Sequence, residues 1–148
     1  MPLKQSAWAK GNDQAKRPQT AGAVHVQRFI YNAAIAADAL LANDIVEIGE
    51  LPPFCRIVDA KIYANGTMTG VTADVGLLSG EYGDLDNSRT VGKELFEAAD
   101  VTGMVRLVKA DALKIEPVER SRGIGVKVLA AVPAAATKYL VLELSYIQ

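Results

Sequence analysis

The chain has 148 residues, half of them apolar and 22% charged, with a formal net charge of −1 and a single cysteine. That length suits one domain whose core needs no metal or disulfide, and the lone Cys55 excludes an internal disulfide and a thiolate zinc site. The near-neutral charge argues against a protein that coats nucleic acid by neutralising phosphates, and no apolar run approaches the ~20 residues of a membrane span.

Charge is unevenly placed. Met1 to Thr20 carries Lys4, Lys10, Lys16 and Arg17 against Asp13, a net of +3, whereas the rest holds 12 basic and 16 acidic side chains. The segment has no hydrophobic period and one large aromatic, Trp8. Too poor in apolar area to order itself, it reads as an extended N-terminal arm (1–20) that reaches a neighbouring surface through Lys4, Trp8, Lys10, Lys16 and Arg17. The segment shows no apolar leader, so the sequence predicts synthesis in the cytoplasm without export. A β-sandwich domain is expected over 21–148.

Ala23 to Asn32, rich in Val24, Val26, Phe29, Ile30 and Tyr31, predicts a first strand. Ala33 to Ala42 has helix-forming residues but no clean stripe, and is read as extended. Asp44 to Leu51 predicts a strand that Pro52-Pro53 ends. Arg56 to Ala64 alternates, with Val58, Ala60, Ile62 and Ala64 on one face. The turn-forming run Asn65 to Gly70 joins it to Thr72–Leu78, where Ala73, Val75 and Leu77 face inward, so the pair reads as a hairpin. A polar loop over 79–88 leads to Val91–Ala99, where Leu95, Phe96 and Ala99 predict one short amphipathic helix. Further strands are expected around Val105–Val108, Leu113–Val118, Ile124–Val132 and Tyr139–Ile147, with Pro133-Ala134-Ala135-Ala136 as a connection. About seven or eight short strands at intervals near ten residues predict an all-β, two-sheet sandwich or barrel, a jelly roll foremost.

Chemistry is sparsely represented. His25, the only histidine, lies between two valines in a strand and reads as a surface or rim imidazole; metal-binding jelly rolls use several. Cys55 reads as a small buried hydrophobe rather than a nucleophile. Glu81, Asp84 and Asp86 share a loop and would be the acids of a hydrolase or calcium site, but the loop lacks the glycine and distal glutamate of a calcium hand, and a solvated turn is the plainer reading. Gly76, Gly80 and Gly83 do not match a phosphate cradle, and Gly92-Lys93 is followed by Glu94. Asn65-Gly66-Thr67 matches a glycosylation sequon but reads first as a turn. Arg120, Arg122 and Lys127 are balanced by Glu116 and Glu119. These residues predict no enzyme, no cofactor, no metal, no nucleic acid and no membrane.

Three stretches, Asn43-Asp44-Ile45-Val46-Glu47-Ile48-Gly49-Glu50-Leu51-Pro52, Arg56-Ile57-Val58-Asp59-Ala60 and Asp74-Val75-Gly76-Leu77-Leu78-Ser79-Gly80, together with the closing Tyr139-Leu140-Val141-Leu142-Glu143-Leu144-Ser145-Tyr146, form a pattern that resembles the jelly-roll decoration, or cement, proteins of tailed bacteriophages. The likeness spans roughly residues 24 to 148 and leaves the arm outside. It implies a virion protein on the outer face of an icosahedral capsid, a homodimer or homotrimer whose partner is the major capsid protein, with no catalytic residue. The alternative for a sandwich of this composition is a receptor- or carbohydrate-binding domain of a tail fibre or other appendage, which would need a shallow aromatic-lined site.

Overall fold

In the computed structural model, residues 3–11, 14–15, 17, 22–32, 40–66, 70–132 and 139–148 are described. Among them nine strands form: β1 (Leu3–Gln5), β2 (His25–Asn32), β3 (Ile45–Leu51), β4 (Arg56–Asn65), β5 (Thr72–Leu77), β6 (Phe96–Asp100), β7 (Val105–Arg106), β8 (Arg122–Val128) and β9 (Tyr139–Ile147). The first sheet has the order β1-β3-β8-β5-β6 and the second β2-β9-β4-β7. Setting β1 aside, the pairs are nested and antiparallel: β2 with β9, β3 with β8, β4 with β7 and β5 with β6. This is one long hairpin rolled on itself, so that β9 also meets β4 and β8 also meets β5. The protein is therefore an all-β jelly-roll sandwich, as its alternation predicts.

The core lies between the sheets. Strand β9 supplies Leu140, Leu142, Leu144 and Tyr146, opposite Tyr31, Phe29, Gln27 and His25 of β2 in register. The facing sheet supplies Val46, Ile48, Ala73, Val75, Ile124, Val126 and Val128. Every residue of β3 is buried, because the chain also covers the outer side of this sheet: Leu3, Ile45, Leu78 and Val91 form a second, smaller apolar cluster there.

Several sequence expectations are corrected by pairing. The 56–64 and 72–78 strands do not form a hairpin: β4 belongs to the second sheet and β5 to the first, since the connection between them crosses the sandwich. Val58 is not inward; a bulge between Ile57 and Asp59 gives its place to Ile57, which is buried, and leaves Val58 exposed. Val91–Ala99 is not a helix. Val91 bridges Leu78, and Phe96–Asp100 is strand β6, bulged against β5, with Ala98 at φ 48°. The bulge sends Leu95, Phe96 and Ala99 inward at a spacing that imitates a helical face. In place of a strand near Leu113–Val118 there is one turn of 3-10 helix, Ala112–Lys114, which buries Ala112. The expectations for Ala33–Ala42 and for Pro133–Ala136 fall largely or wholly outside the described residues, as do Thr67–Thr69 of the predicted turn; Leu40 pairs with Val132, and Gly66 and Gly70 take the positive φ the turn was expected to need.

Candidate functional site

The sequence predicts a basic arm that cannot order itself, yet its described parts dock on the sandwich. Leu3–Gln5 runs parallel to β3 with Leu3 opposite Ile45, and the Leu3 amide donates to Asn87 Oδ1 at 2.9 Å. The Ser6 amide and hydroxyl continue the pairing by donating to the Glu47 and Ile48 carbonyls. Trp8 then sets its ring edge-on to Phe29 at 5.5 Å and 85°, and the Tyr82 hydroxyl donates to the Trp8 carbonyl at 2.7 Å. Ala15 is buried in the core, and Arg17 pairs with Glu50 at 3.1 Å. Backbone pairing needs no apolar run, which is why hydrophobic periodicity misses this docking. Of the other predicted contact residues, Lys10 is exposed, Lys4 is half-buried in β1, and Lys16 lies outside the described residues.

The outer side of the first sheet is fastened by a buried ion pair that sequence reasoning does not single out. Arg89, from the long β5–β6 connection, sends Nη1 and Nη2 to Oε2 and Oε1 of Glu47 at 3.1 and 3.0 Å; both side chains are almost fully buried. Arg89 also donates to the Ser79 and Asp84 carbonyls, while Glu47 accepts from the Gln5 side chain and the Gly83 amide. Every charge is thereby matched, the condition on which a buried pair is tolerated. The pair ties β1, β3 and the 79–90 loop together.

The outer face of the second sheet is different, polar and open. Arg28, Glu143, Lys61 and Arg106 stand in one cross-strand row, with Lys61–Glu143 at 3.6 Å and Arg106–Asp59 at 2.7 Å. The Arg106 hydrogen bond holds Asp59 below the usual carboxylate range.

The candidate chemical residues do not converge on one another. His25 stacks on Tyr146, with ring centroids 6.2 Å apart, and burial pushes the Tyr146 hydroxyl up to about 12. Cys55 is buried, and desolvation raises its thiol, the reverse of what an activated nucleophile needs. Glu81 pairs with Arg120 at 2.8 Å, Asp86 accepts from the Ser88 amide and hydroxyl, and the Asp84 carbonyl is held by Arg89. Among the described residues no group of three or more His, Cys, Asp or Glu side chains is placed to hold a metal ion, and no helix is long and apolar enough to cross a membrane. A cleft of about 250 Å³ beside β1 is lined by Leu3, Ile45, Val91, Lys127 and the 87–90 loop, none of them aromatic.

No family model and no curated relative matches the sequence. Solved structures do. The chain is similar to one in the capsid of Ralstonia phage GP4, with 37% identity and a TM-score of 0.86 over 99% of this chain and 97% of that one. It is also similar to a chain of the cyanophage Pam1 capsid asymmetric unit, at 13% identity and TM-score 0.58 over 93% and 94%. A third likeness is to the acid-stable capsid of Helicobacter pylori bacteriophage KHP30, at 10% identity and TM-score 0.50 over 87% and 90%. The last two are likenesses of fold.

Proposed function

This chain belongs to the bacteriophage capsid-protein family of the GP4 chain, and we propose that within that family it acts as a decoration, or cement, protein that binds the outer surface of an icosahedral shell and ties capsomers together. It is a structural component of the virion. The observation that carries the finer reading is the closure of the core inside one chain: both sheets of the jelly roll bury their inner faces on each other, and the outer side of the first sheet is covered by the chain's own 79–90 loop, which packs Leu78 and Val91 on Leu3 and Ile45. A module complete in itself folds first and attaches afterwards, whereas a subunit that builds the wall through obligate contacts leaves large apolar faces for its neighbours to cover.

Three of the four sheet edges are poor templates for strand addition, the eight-residue β2 being the fourth edge. Strand β7 has two residues, β1 has three, and β6 is bulged and carries Glu97 in a network with Lys93 and Lys109. The shell partner is the major capsid protein, and the chain acts as a homodimer or homotrimer. The basic segment with Lys4, Trp8, Lys10, Lys16 and Arg17 contributes to the contact; Trp8 and Arg17 anchor it to its own sandwich, which leaves Lys10 turned to solvent. Binding across a seam stabilises the shell by mass action, about 4 kcal/mol per site at a thousandfold excess over the dissociation constant, repeated at each site. Shells assembled without this chain, mixed with the purified protein, are expected to bind it and to resist heat better; shells that neither bind it nor gain resistance refute the reading.

A further inference from the structure

Strand β2 is the longest edge of the sandwich: eight residues, outermost in the second sheet, with no proline, glycine or bulge to blunt it. The direction of its main-chain groups follows from hydrogen bonds farther across the same sheet. The Leu107 amide donates to the Ala60 carbonyl at 2.9 Å and the Ala64 amide to the Val101 carbonyl at 3.0 Å, so these residues of β4 turn their backbone away from β9 and Lys61 and Tyr63 turn theirs towards it. Lys61 lies opposite Glu143, and the next residue of β9, Leu142, lies opposite Phe29. The alternation of an antiparallel ladder therefore points the backbone of Gln27, Phe29 and Tyr31 at β9 and that of Val26, Arg28 and Ile30 outwards. Among the described residues no backbone group pairs with those three; the Arg28 carbonyl receives the Gln27 side-chain amide at 3.5 Å. Beside this open row Val24 and Val26 are 60% and 63% exposed. A row of open N–H and C=O groups flanked by exposed valines is a template for another strand.

We propose that two copies of this chain join through their β2 edges, antiparallel across a twofold axis, so that their second sheets become one. This rests on the homo-oligomeric part of the proposed function, selects two copies over three, and is independent of attachment to a shell. The residues choose the register. The axis must pass through a residue, because open groups of one strand have to meet open groups of the other. Centring on Arg28 would set two guanidinium groups directly opposite, and centring on Phe29 carries Val24 past Asn32, the end of the other β2. Centring on Gln27 sets Val26 opposite the second copy's Arg28 and Val24 opposite its Ile30. Every open group then meets another, the arginine stem covers Val26, and two β-branched side chains pair across the seam. Such a contact uses the same edge of both copies and closes at two, and the far edge of the sheet, β7, has only two residues to offer.

The test is sedimentation equilibrium of the full chain, without shells, for the parent and for Val26→Pro, Val26→Lys and Val26→Glu. Proline at position 26 removes an amide that bonds to nothing within the described chain, so the fold is kept while strand pairing is blocked. Lysine there faces Arg28 of the second copy on both sides of the axis, whereas glutamate faces it with opposite charge. The parent is expected to sediment as a dimer, and the proline and lysine variants to dissociate at least about tenfold more readily. The glutamate variant is expected to hold the dimer better than the lysine variant, by a margin that shrinks as salt rises. A monomeric or trimeric parent overturns the proposal, as does a dimer that neither proline nor lysine weakens, or one weakened equally by lysine and glutamate. Should the proline variant fail to fold, the lysine and glutamate pair decides alone. Shell binding by the same samples separates the two readings: monomers that bind shells refute the twofold contact alone, and dimers that ignore shells refute the decoration role alone.

Discussion

Gly49 shows how closely single residues are fitted in this sandwich. A Cβ built there would lie 2.5 Å from the Phe29 ring, so glycine is what lets β2 and β3 approach across the core. Gly49→Ala is expected to lower stability by roughly 1 to 3 kcal/mol through overpacking, read as a lower denaturant midpoint with unchanged slope. Removing one member of the buried pair is more damaging. Arg89→Met leaves Glu47 charged and unpaired, at a cost of about 3 to 5 kcal/mol, and the double change Glu47→Leu with Arg89→Met should cost less than the two single losses added together. Equal additivity in a denaturation cycle would show that the two side chains do not act together. On the open face, Asp59 has its folded pKa depressed by Arg106, so its contribution is present above the ordinary carboxylate range and is lost as pH falls through the folded value. Asp59→Asn should therefore cost no more than about 1 kcal/mol at neutral pH and nothing in strong acid, checked by melting across that range.

At the scale of elements, legibility followed backbone regularity. Strands β2, β3, β4, β8 and β9 announce themselves by β-branched residues or by alternation, because one or both of their faces are buried along their length. Alternation says nothing about which strand is the partner, so β4 and β5, adjacent in sequence, read as a hairpin although they lie in opposite sheets. A bulge breaks the period of two, which made β6 look helical through Leu95, Phe96 and Ala99. The site was less legible than the fold. Glu47 and Arg89 are 42 residues apart in sequence, and β1 docks through backbone hydrogen bonds that any side chains permit. Trp8, the only tryptophan, reports on that docking. Trp8→Ala should remove about 2 kcal/mol, since the ring is half-buried and edge-on to Phe29. In the parent protein, tryptophan emission should shift to the red only as the whole sandwich unfolds; a shift at lower denaturant would mean that the N-terminal strand releases first.

At the scale of the whole molecule, the arrangement separates two tasks. Folding is completed internally, by a rolled hairpin whose inner faces meet and whose first sheet is also covered from outside. In the proposed decoration role, attachment falls to what remains on the surface: the charged face over Arg28, Glu143 and Lys61 and the basic N-terminal segment. Contact spread over separate patches suits a part that is repeated across a symmetric surface, where each modest site is multiplied by the copy number. The measurement that bears most directly on this division is co-sedimentation of the purified protein with shells assembled in its absence, with bound copies counted. The account predicts saturable binding at a copy number set by the shell's symmetry, accompanied by greater heat resistance of the filled shells. Failure to sediment with them, or shells that cannot assemble at all until this chain is supplied, would contradict it.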